Sequence, residues 1–395
     1  MIDISAAIIF IIFLTAFILI RRKKITVQKI LYPVFYLMLY KSDFGIRFMN
    51  KIADKYREVV KFFGYVCIGI SFVGMIFVSI NILLILFNIF AAPTAETGVA
   101  LILPFTNVPG FGHLSFLHWI ISIFVLAVVH EFAHGIVSIA NGLKVKSSGF
   151  AFLAILVPLL PAAFVEPDEK KLMKKDDVTQ YSIFAAGPVA NILLALILLF
   201  ALPYITNPVE ERITEPVGFT FDLTNQTMPA AKAGLQSGMV ITSFNNQTIT
   251  DANEAVAILH YCVKPGQTVF LGTENATYTV TKVEDETGRG MIGITNVRNE
   301  KRVKPEYKWL EKPFYWVKDL LKWLISLNFL VGIFNLLPLG IVDGGRIMNT
   351  FLQRSIKDKE KAKKIFGFIS LFFLAIILLG LIKNYIGNPF SILIK

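Results

Sequence analysis

Two histidines four residues apart enclose a glutamate in the run His130-Glu131-Phe132-Ala133-His134. At 3.6 residues per turn both imidazoles lie on one helix face about 6 Å apart, a spacing that suits one zinc ion. The carboxylate between them suits a group that carries protons beside the metal without binding it. With five histidines and 16 glutamates in 395 residues, chance supplies this pattern roughly 0.0025 times. A zinc ion that activates water takes three protein ligands and keeps one position open, so a third ligand must come from elsewhere. Two carboxylates are candidates. Asp343 ends the run Asn335-Leu336-Leu337-Pro338-Leu339-Gly340-Ile341-Val342-Asp343-Gly344-Gly345, where Pro and Gly break a helix and can turn a carboxylate inward. Glu166, in Phe164-Val165-Glu166-Pro167, is the other.

The elements that must position these groups are membrane helices. The chain is 55% hydrophobic and 17% charged, against about 25% charged in soluble domains. With 35 phenylalanines and no long polar tract, disorder, collagen and nucleic-acid-binding arms are excluded. Two cysteines build neither a disulfide framework nor a four-thiolate site. The sequence holds no phosphate loop, no serine or cysteine nucleophile constellation and no internal repeat. A helix needs about 20 apolar residues to cross a bilayer. Stretches of that order run approximately over 4–20, 62–90, 116–140, 182–204, 316–338 and 365–386. The first reads as a retained anchor, because it lacks a basic start and a small-residue cleavage site. His130 lies 14 residues from both Phe116 and Lys144, so the histidine pair sits roughly 10 Å or more below either polar surface. Three ionisable groups at that depth cost about 2.5–3.5 kcal/mol each, which makes function their default explanation.

The net charge of +11 follows from sidedness. Lys and Arg number 11 in 21–61, six in 141–181 and seven in 344–364, and none falls in 91–115. The three basic loops are expected in the cytoplasm. If 149–165 crossed the bilayer, one of them would be exported, and Pro158 and Pro161 interrupt a helix there, so a re-entrant or sheet-like element is predicted. Its stretch Gly149-Phe150-Ala151-Phe152-Leu153-Ala154 is a candidate edge on which an unwound substrate pairs as an added strand, with Phe152 among the contacts; a half-helix packing the core is the other reading. Residues 25–61 mix aromatics such as Tyr32, Phe35, Tyr36 and Tyr40 with basic residues, a pattern expected of an amphipathic helix on an anionic leaflet. Asn191, within an apolar span, serves as interhelical hydrogen-bonding glue or bonds a substrate.

Residues 205–312 change character: 11 basic residues nearly balance 13 acidic ones, and short β-type runs alternate with turns. By parity this insert lies outside the cytoplasm, where Asn225-Gln226-Thr227, Asn246-Gln247-Thr248 and Asn275-Ala276-Thr277 fit the glycosylation acceptor pattern. The run from Ala230 to Asn245, with Lys264-Pro265-Gly266-Gln267-Thr268-Val269, resembles a protease-associated PDZ domain, although Met239 stands where Asp is usual and Asn245-Asn246 replaces Asn-Gly.

With the His130-Glu131-x-x-His134 helix, Phe164-Val165-Glu166-Pro167, Gly187-Pro188-x-x-Asn191 and Asn335-x-x-Pro338 leading to Asp343-Gly344, the chain resembles the site-2 protease family of intramembrane zinc metalloproteases, in its PDZ-containing subgroup. The resemblance spans about 116–345 and implies that His130, His134 and Asp343 bind one Zn2+ per chain and that Glu131 is the catalytic acid/base. It favours a substrate or intermediate contact for Asn191, leaves Glu166 near the substrate path or capping a loop, and implies an insert that filters substrates by size. The substrates it implies are membrane-anchored proteins cut within or near a transmembrane segment in the bilayer, with no nucleic acid involved.

The expected fold is a polytopic α-helical membrane protein of about six transmembrane helices, with one re-entrant or β-like element and an inserted extracytoplasmic PDZ-like α+β domain. Its divisions are 1–61, membrane anchor and basic segment; 62–204, the zinc-helix region; 205–312, the PDZ-like domain; and 313–395, the third ligand and last span. Rival functions are a divalent-metal transporter, which needs more polar residues along its spans, and a membrane-embedded metalloprotease acting on soluble or prenylated chains, whose third ligand is commonly Glu.

Overall fold

The computed structural model describes residues 2–31, 35–43, 45–91, 98–108, 111–154, 158–284 and 290–386; Tyr32 lies outside them. In chain order the principal elements begin with α1 (Ile2–Arg21), β1 (Ile25–Leu31), β2 (Phe35–Ser42), α2 (Ile46–Lys55), α3 (Arg57–Ala91) and α4 (Phe116–Ala140). The strands β3 (Val145–Ala154) and β4 (Pro158–Pro167) and the long helix α5 (Asp177–Ile213) follow. Then come β5 (Thr214–Leu223), α6 (Ala252–Ala257), β6 (Thr268–Gly272), β7 (Thr277–Thr281) and β8 (Ile294–Val303). The chain ends on α7 (Lys308–Phe334), α8 (Asp343–Ser355) and α9 (Lys359–Tyr385). By contacts it divides into two units, Met1–Leu202 with Lys318–Lys395, and Pro203–Val317.

The first unit is a polytopic helical membrane body. Five of its helices, α1, α3, α4, α5 and α9, are long and apolar enough to cross a bilayer. α7, which holds most of the sixth expected span, is not among them, because Lys318, Asp319 and Lys322 lie near its middle. Large apolar side chains such as Phe62, Phe77 and Phe87 on α3 and Phe368 on α9 are exposed, as a lipid-facing surface requires. The inner seam is built from small residues: Ala185 and Ala186 on α5 are fully buried in one cluster with Cys67 and Met75 of α3 and Val137 and Ala140 of α4. Without bulk there, helix backbones approach closely, the main source of helix association in lipid.

Both ends of α4 are secured. Ser115 accepts from His118 N at its start, and the Asp3 carboxylate of α1 accepts from Phe116 N at 2.8 and 2.9 Å. These bonds satisfy donors a helix start cannot satisfy itself. At the other end Arg57 Nε donates to Ala140 O at 3.0 Å, and Gly142 takes the left-handed conformation that ends the helix.

Of the expected re-entrant segment 149–165, residues 149–154 and 158–165 take the sheet-like form, in a larger sheet than foreseen, and 155–157 lie outside the described residues. Four antiparallel strands run in the order β1-β2-β3-β4. The expected amphipathic helix is confined to α2, because Ile25, Thr26 and Val27 pair with Tyr40, Leu39 and Met38 in β2. Their β-branched and aromatic side chains suit a pleated surface. A second correction concerns the pairing edge. Phe152 faces Met38 on one side and Pro161 on the other, so β3 is an interior strand. Phe152 is buried, with its ring against Phe17 at 6.3 Å. The edge beside β3 is that of β4, with which no further strand pairs among the described residues.

The second unit is a small α+β fold with its own core of Phe219, Phe221, Ile241, Phe244, Leu271 and Val280. The long strands β5 and β8 pair antiparallel, and β6 pairs with β7 and with a short strand at Ser243–Phe244. Asn245 and Asn246 both have positive φ, 49° and 65°, between paired strand ends. A two-residue hairpin needs this conformation, and asparagine tolerates it, so Asn-Asn replaces Asn-Gly without altering the turn. Lys282 is buried, and its ammonium donates to Leu259 O and Val263 O, each at 2.6 Å, closing the π-helical turn Ile258–Cys262. Lys282→Met strands both carbonyls and is expected to destabilise this turn by about 2–4 kcal/mol. Hydrogen exchange of the amides in 258–266 measures the loss.

Candidate metal centre

His130 and His134 project from α4 toward α5, and Asp343 is the first residue of α8. Each offers one ligand atom, and the three atoms lie within 4.8 Å of one another. The triangle is nearly equilateral: His130 Nε2 is 3.0 Å from Asp343 Oδ2, His134 Nε2 is 3.2 Å from the same oxygen, and the two nitrogens are 3.1 Å apart. Ligands about 2.0–2.2 Å from a tetrahedral zinc stand about 3.3–3.5 Å from each other. The triangle is thus only a few tenths of an ångström tighter than such an ion requires.

The far sides of the rings decide which atoms face inward. His134 Nδ1 is 2.6 Å from Ile183 O on α5. A carbonyl only accepts, so the proton sits on Nδ1 and the Nε2 lone pair is free to ligate. Asn191 is fully buried, and its Nδ2 lies 3.3 Å from His130 Nδ1, so a protonated Nδ1 would face a second donor unless the amide is turned over. With His130 Nε2 turned to the triangle, Nδ1 carries the proton, and the amide is assigned with its oxygen facing that ring. The place where Oδ1 stands without a protein partner is then taken by the amide NH2.

Gly187 makes room for this arrangement. A Cβ there would lie 2.4 Å from His134 Nε2 and 2.7 Å from His130 Nε2, the two atoms that face Asp343. The donor set and this glycine cradle both fit a small divalent cation.

Asp343 is brought to the start of α8 by a backbone reversal after α7. After α7, Leu339 N bonds Leu337 O and Gly344 N returns to Asn335 O at 2.7 Å. A Cβ on Gly344 would meet Leu336 O at 2.3 Å, and one on Gly345 would meet Leu339 O at 1.8 Å. The turn therefore demands both glycines, and Leu336, Leu337 and Leu339 bury themselves to anchor it. Asn335 spends its amide on Val331 O, within its own helix.

The remaining sequence candidates are placed as follows. Glu131 Oε2 accepts from Val165 N of β4 at 2.8 Å. Glu166 stands outside the three-ligand group and bonds Lys41 Nζ at 2.8 Å and Ser147 Oγ at 2.6 Å, clipping β2, β3 and β4 together. The Lys41 ammonium and the Ser147 hydroxyl hold its carboxyl below the usual carboxylate range. Two partners escaped the sequence reading, Ile183 O and Val165 N, because backbone groups leave no residue-type signature.

A family model described as peptidase family M50 matches residues 118–377. The chain belongs to peptidase family M50. The match takes in α4 with the two histidines, the second unit, Asp343 and most of α9. An uncharacterized protein of Methanocaldococcus jannaschii is 29% identical over 248 residues, 61% of this chain. The chain covers 59% of that relative, less than two thirds of its length. The crystal structure of the PDZ domain of an SdrC-like protein from Listeria monocytogenes is 26% identical and covers 20% of this chain and 86% of that one, with a TM-score of 0.18.

Within this M50 chain, Gly187→Ala is expected to weaken metal affinity by about 10- to 100-fold, since the methyl displaces both ligating rings; metal analysis beside an unchanged helical circular dichroism spectrum reads this. For Glu166 the lowered carboxyl makes the clip a source of stability above the ordinary carboxylate range, lost as pH falls through about 4.3 and below. With 42% of the side chain exposed, the clip is worth less than about 1 kcal/mol. Glu166→Gln is expected to remove that increment from the pH dependence of thermal unfolding.

Proposed function

We propose that the protein is a zinc-dependent endopeptidase that hydrolyses peptide bonds of membrane-anchored proteins within or near their transmembrane segments. The observation that carries this reading is the convergence of His130 Nε2, His134 Nε2 and Asp343 Oδ2 from two helices in a lipid-embedded body. These three atoms would hold the zinc ion. When bound, zinc lowers the pKa of a coordinated water and polarises a carbonyl.

The chain's own groups do the rest. Glu131, next to His130 but outside the triangle, removes the proton from the attacking water and passes it to the leaving amine. Ile183 O fixes the His134 tautomer and Asn191 that of His130. The unspent amide group of Asn191 is left for a substrate oxygen, since a buried polar group without a protein partner calls for one from a ligand. A helical substrate has no free backbone groups, so its cleavage requires an unwound stretch with new partners. The outer edge of β4, beside Glu131, supplies them by strand addition, with Phe152 packing behind the strand rather than touching the added chain.

The excess of Lys and Arg in 21–61, 141–181 and 344–364 supports a cytoplasmic side for these segments and, by parity, an extracytoplasmic second unit. The PDZ-like sequence pattern of 230–245 and 264–269 supports a role for that unit in admitting substrates.

Glu131→Gln is expected to retain metal and lose cleavage of a single-span model substrate by about 10²–10⁴-fold. Asp343→Ala is expected to lose the metal, whereas Glu166→Ala keeps it. A Gln variant that cleaves at the unchanged rate, or an Asp343→Ala protein with full metal content, overturns the assignment.

A further inference from the structure

The bond between Val165 and Glu131 joins two parts of the machinery that need the same atom. In an antiparallel pair, residues alternate between those that turn N–H and C=O toward the partner strand and those that turn both away. Val165 pairs with Ser148 in register, yet its N–H donates to Glu131 Oε2 at 2.8 Å, so it points away from β3. By the two-residue alternation, Ala163 also faces outward, and so does Pro161, which has no N–H. The registers Phe150↔Ala163 and Phe152↔Pro161 agree with this, because a proline is tolerated where no ladder bond is asked of it. Between 161 and 165, therefore, the outer edge of β4 carries two N–H donors, Ala163 and Val165, and Glu131 occupies one of them.

We propose that Glu131 and an incoming substrate strand compete for the Val165 N–H, so that strand docking itself releases the carboxylate for proton transfer. The inference rests on the strand-addition reading of β4 given above. A substrate carbonyl that pairs with Val165 replaces Glu131 Oε2, and the carboxylate gives up its bond only when the chain to be cut lies alongside. Val165 thereby acts as a positioning residue through its backbone amide. The proton carrier is withheld from any water that enters without a substrate, a device suited to a hydrolytic site within a lipid-embedded body. Pairing at Val165 also sets register, because the edge offers N–H groups only at Ala163 and Val165 and a carbonyl alone at Pro161. The substrate class that fits is an extended segment of about four to five residues whose backbone carbonyls are unpaired, such as an unwound stretch of a membrane span.

The test uses the full chain in detergent and a fluorescent single-span peptide whose helix is interrupted by two glycines. Glu131→Gln and Glu131→Ala are both expected to leave the peptide uncut, so binding is read at equilibrium in each. Gln keeps an oxygen for the Val165 N–H and Ala does not. Glu131→Ala is therefore expected to bind the peptide about tenfold tighter, and the difference is expected to vanish when Val165→Pro removes the contested donor. Because that proline also alters the strand, deuterium exchange of fragments covering 162–168 gives a second readout. Added peptide is expected to slow exchange of the Val165 amide in Glu131→Ala and to change it little in Glu131→Gln, where the amide is already bonded. Equal affinities together with equal exchange responses overturn the competition while leaving strand addition standing. A photo-crosslinker at Ala163 that labels no peptide in either variant overturns strand addition itself.

Discussion

Ionisable side chains in a bilayer are costly unless each finds a partner, and His130, His134 and Asp343 find theirs in one another and in a shared place for a cation. Much of the membrane body can be understood as the means of holding those atoms about 3 Å apart. α4 carries both histidines, and its ends are tied by Asp3 and Arg57. α5 contributes small residues, Ala185 and Ala186 in the buried cluster and Gly187 against the two rings, so a second helix backbone comes close enough for Ile183 O to bond one ring. The third atom must arrive from a chain segment over 200 residues away, and a continuous helix would carry it past. The reversal before α8 solves this with a proline, two glycines in contact with carbonyl groups, and three buried leucines.

The four-stranded sheet answers a different constraint. Backbone groups that are not in helices are tolerated at membrane depth only when something satisfies them. The two inner strands meet this need through neighbours on both sides, and β1 and β4 do so on their inner sides alone. On the outer side of β4 one N–H is satisfied by Glu131, the residue proposed above as the proton carrier. Structural satisfaction and chemistry thus draw on the same hydrogen bond. The ion pair of Lys41 with Glu166 and the Ser147 hydroxyl lock the strands in register at one end. A one-residue slip would turn the outward groups of β4 inward and dissolve the edge.

The second unit is stabilised in the manner of a water-soluble domain. It has an apolar core, tight turns with asparagines at positive φ, and a buried lysine that closes the one π-helical turn of the described chain. Its polarity contrasts with the lipid-facing exposure of Phe and Leu in the membrane body, and each surface matches the solvent its composition implies.

Helix spacing and hydropathy are local properties, and they were sufficient to locate the paired histidines, the glutamate between them, the spans and the polar insert. The Pro- and Gly-rich run before Asp343 was legible for the same reason, since breaking a helix is a local act. Other features depend on which segments meet. The residues alone left Asp343 and Glu166 as rival carboxylates; only the folded chain brings Asp343 to the imidazoles and gives Glu166 to Lys41 and Ser147. Residues 25–31 and 35–42 had the composition of an amphipathic helix; they form strands because β1 pairs with β2 and β2 in turn pairs with a segment more than 100 residues away. That pairing also moved the free edge from β3 to β4. Sequence thus determined the chemistry available, because side-chain type and helical period are written along the chain, whereas tertiary structure decided which atoms meet, because backbone pairing and packing between distant segments have no local signature.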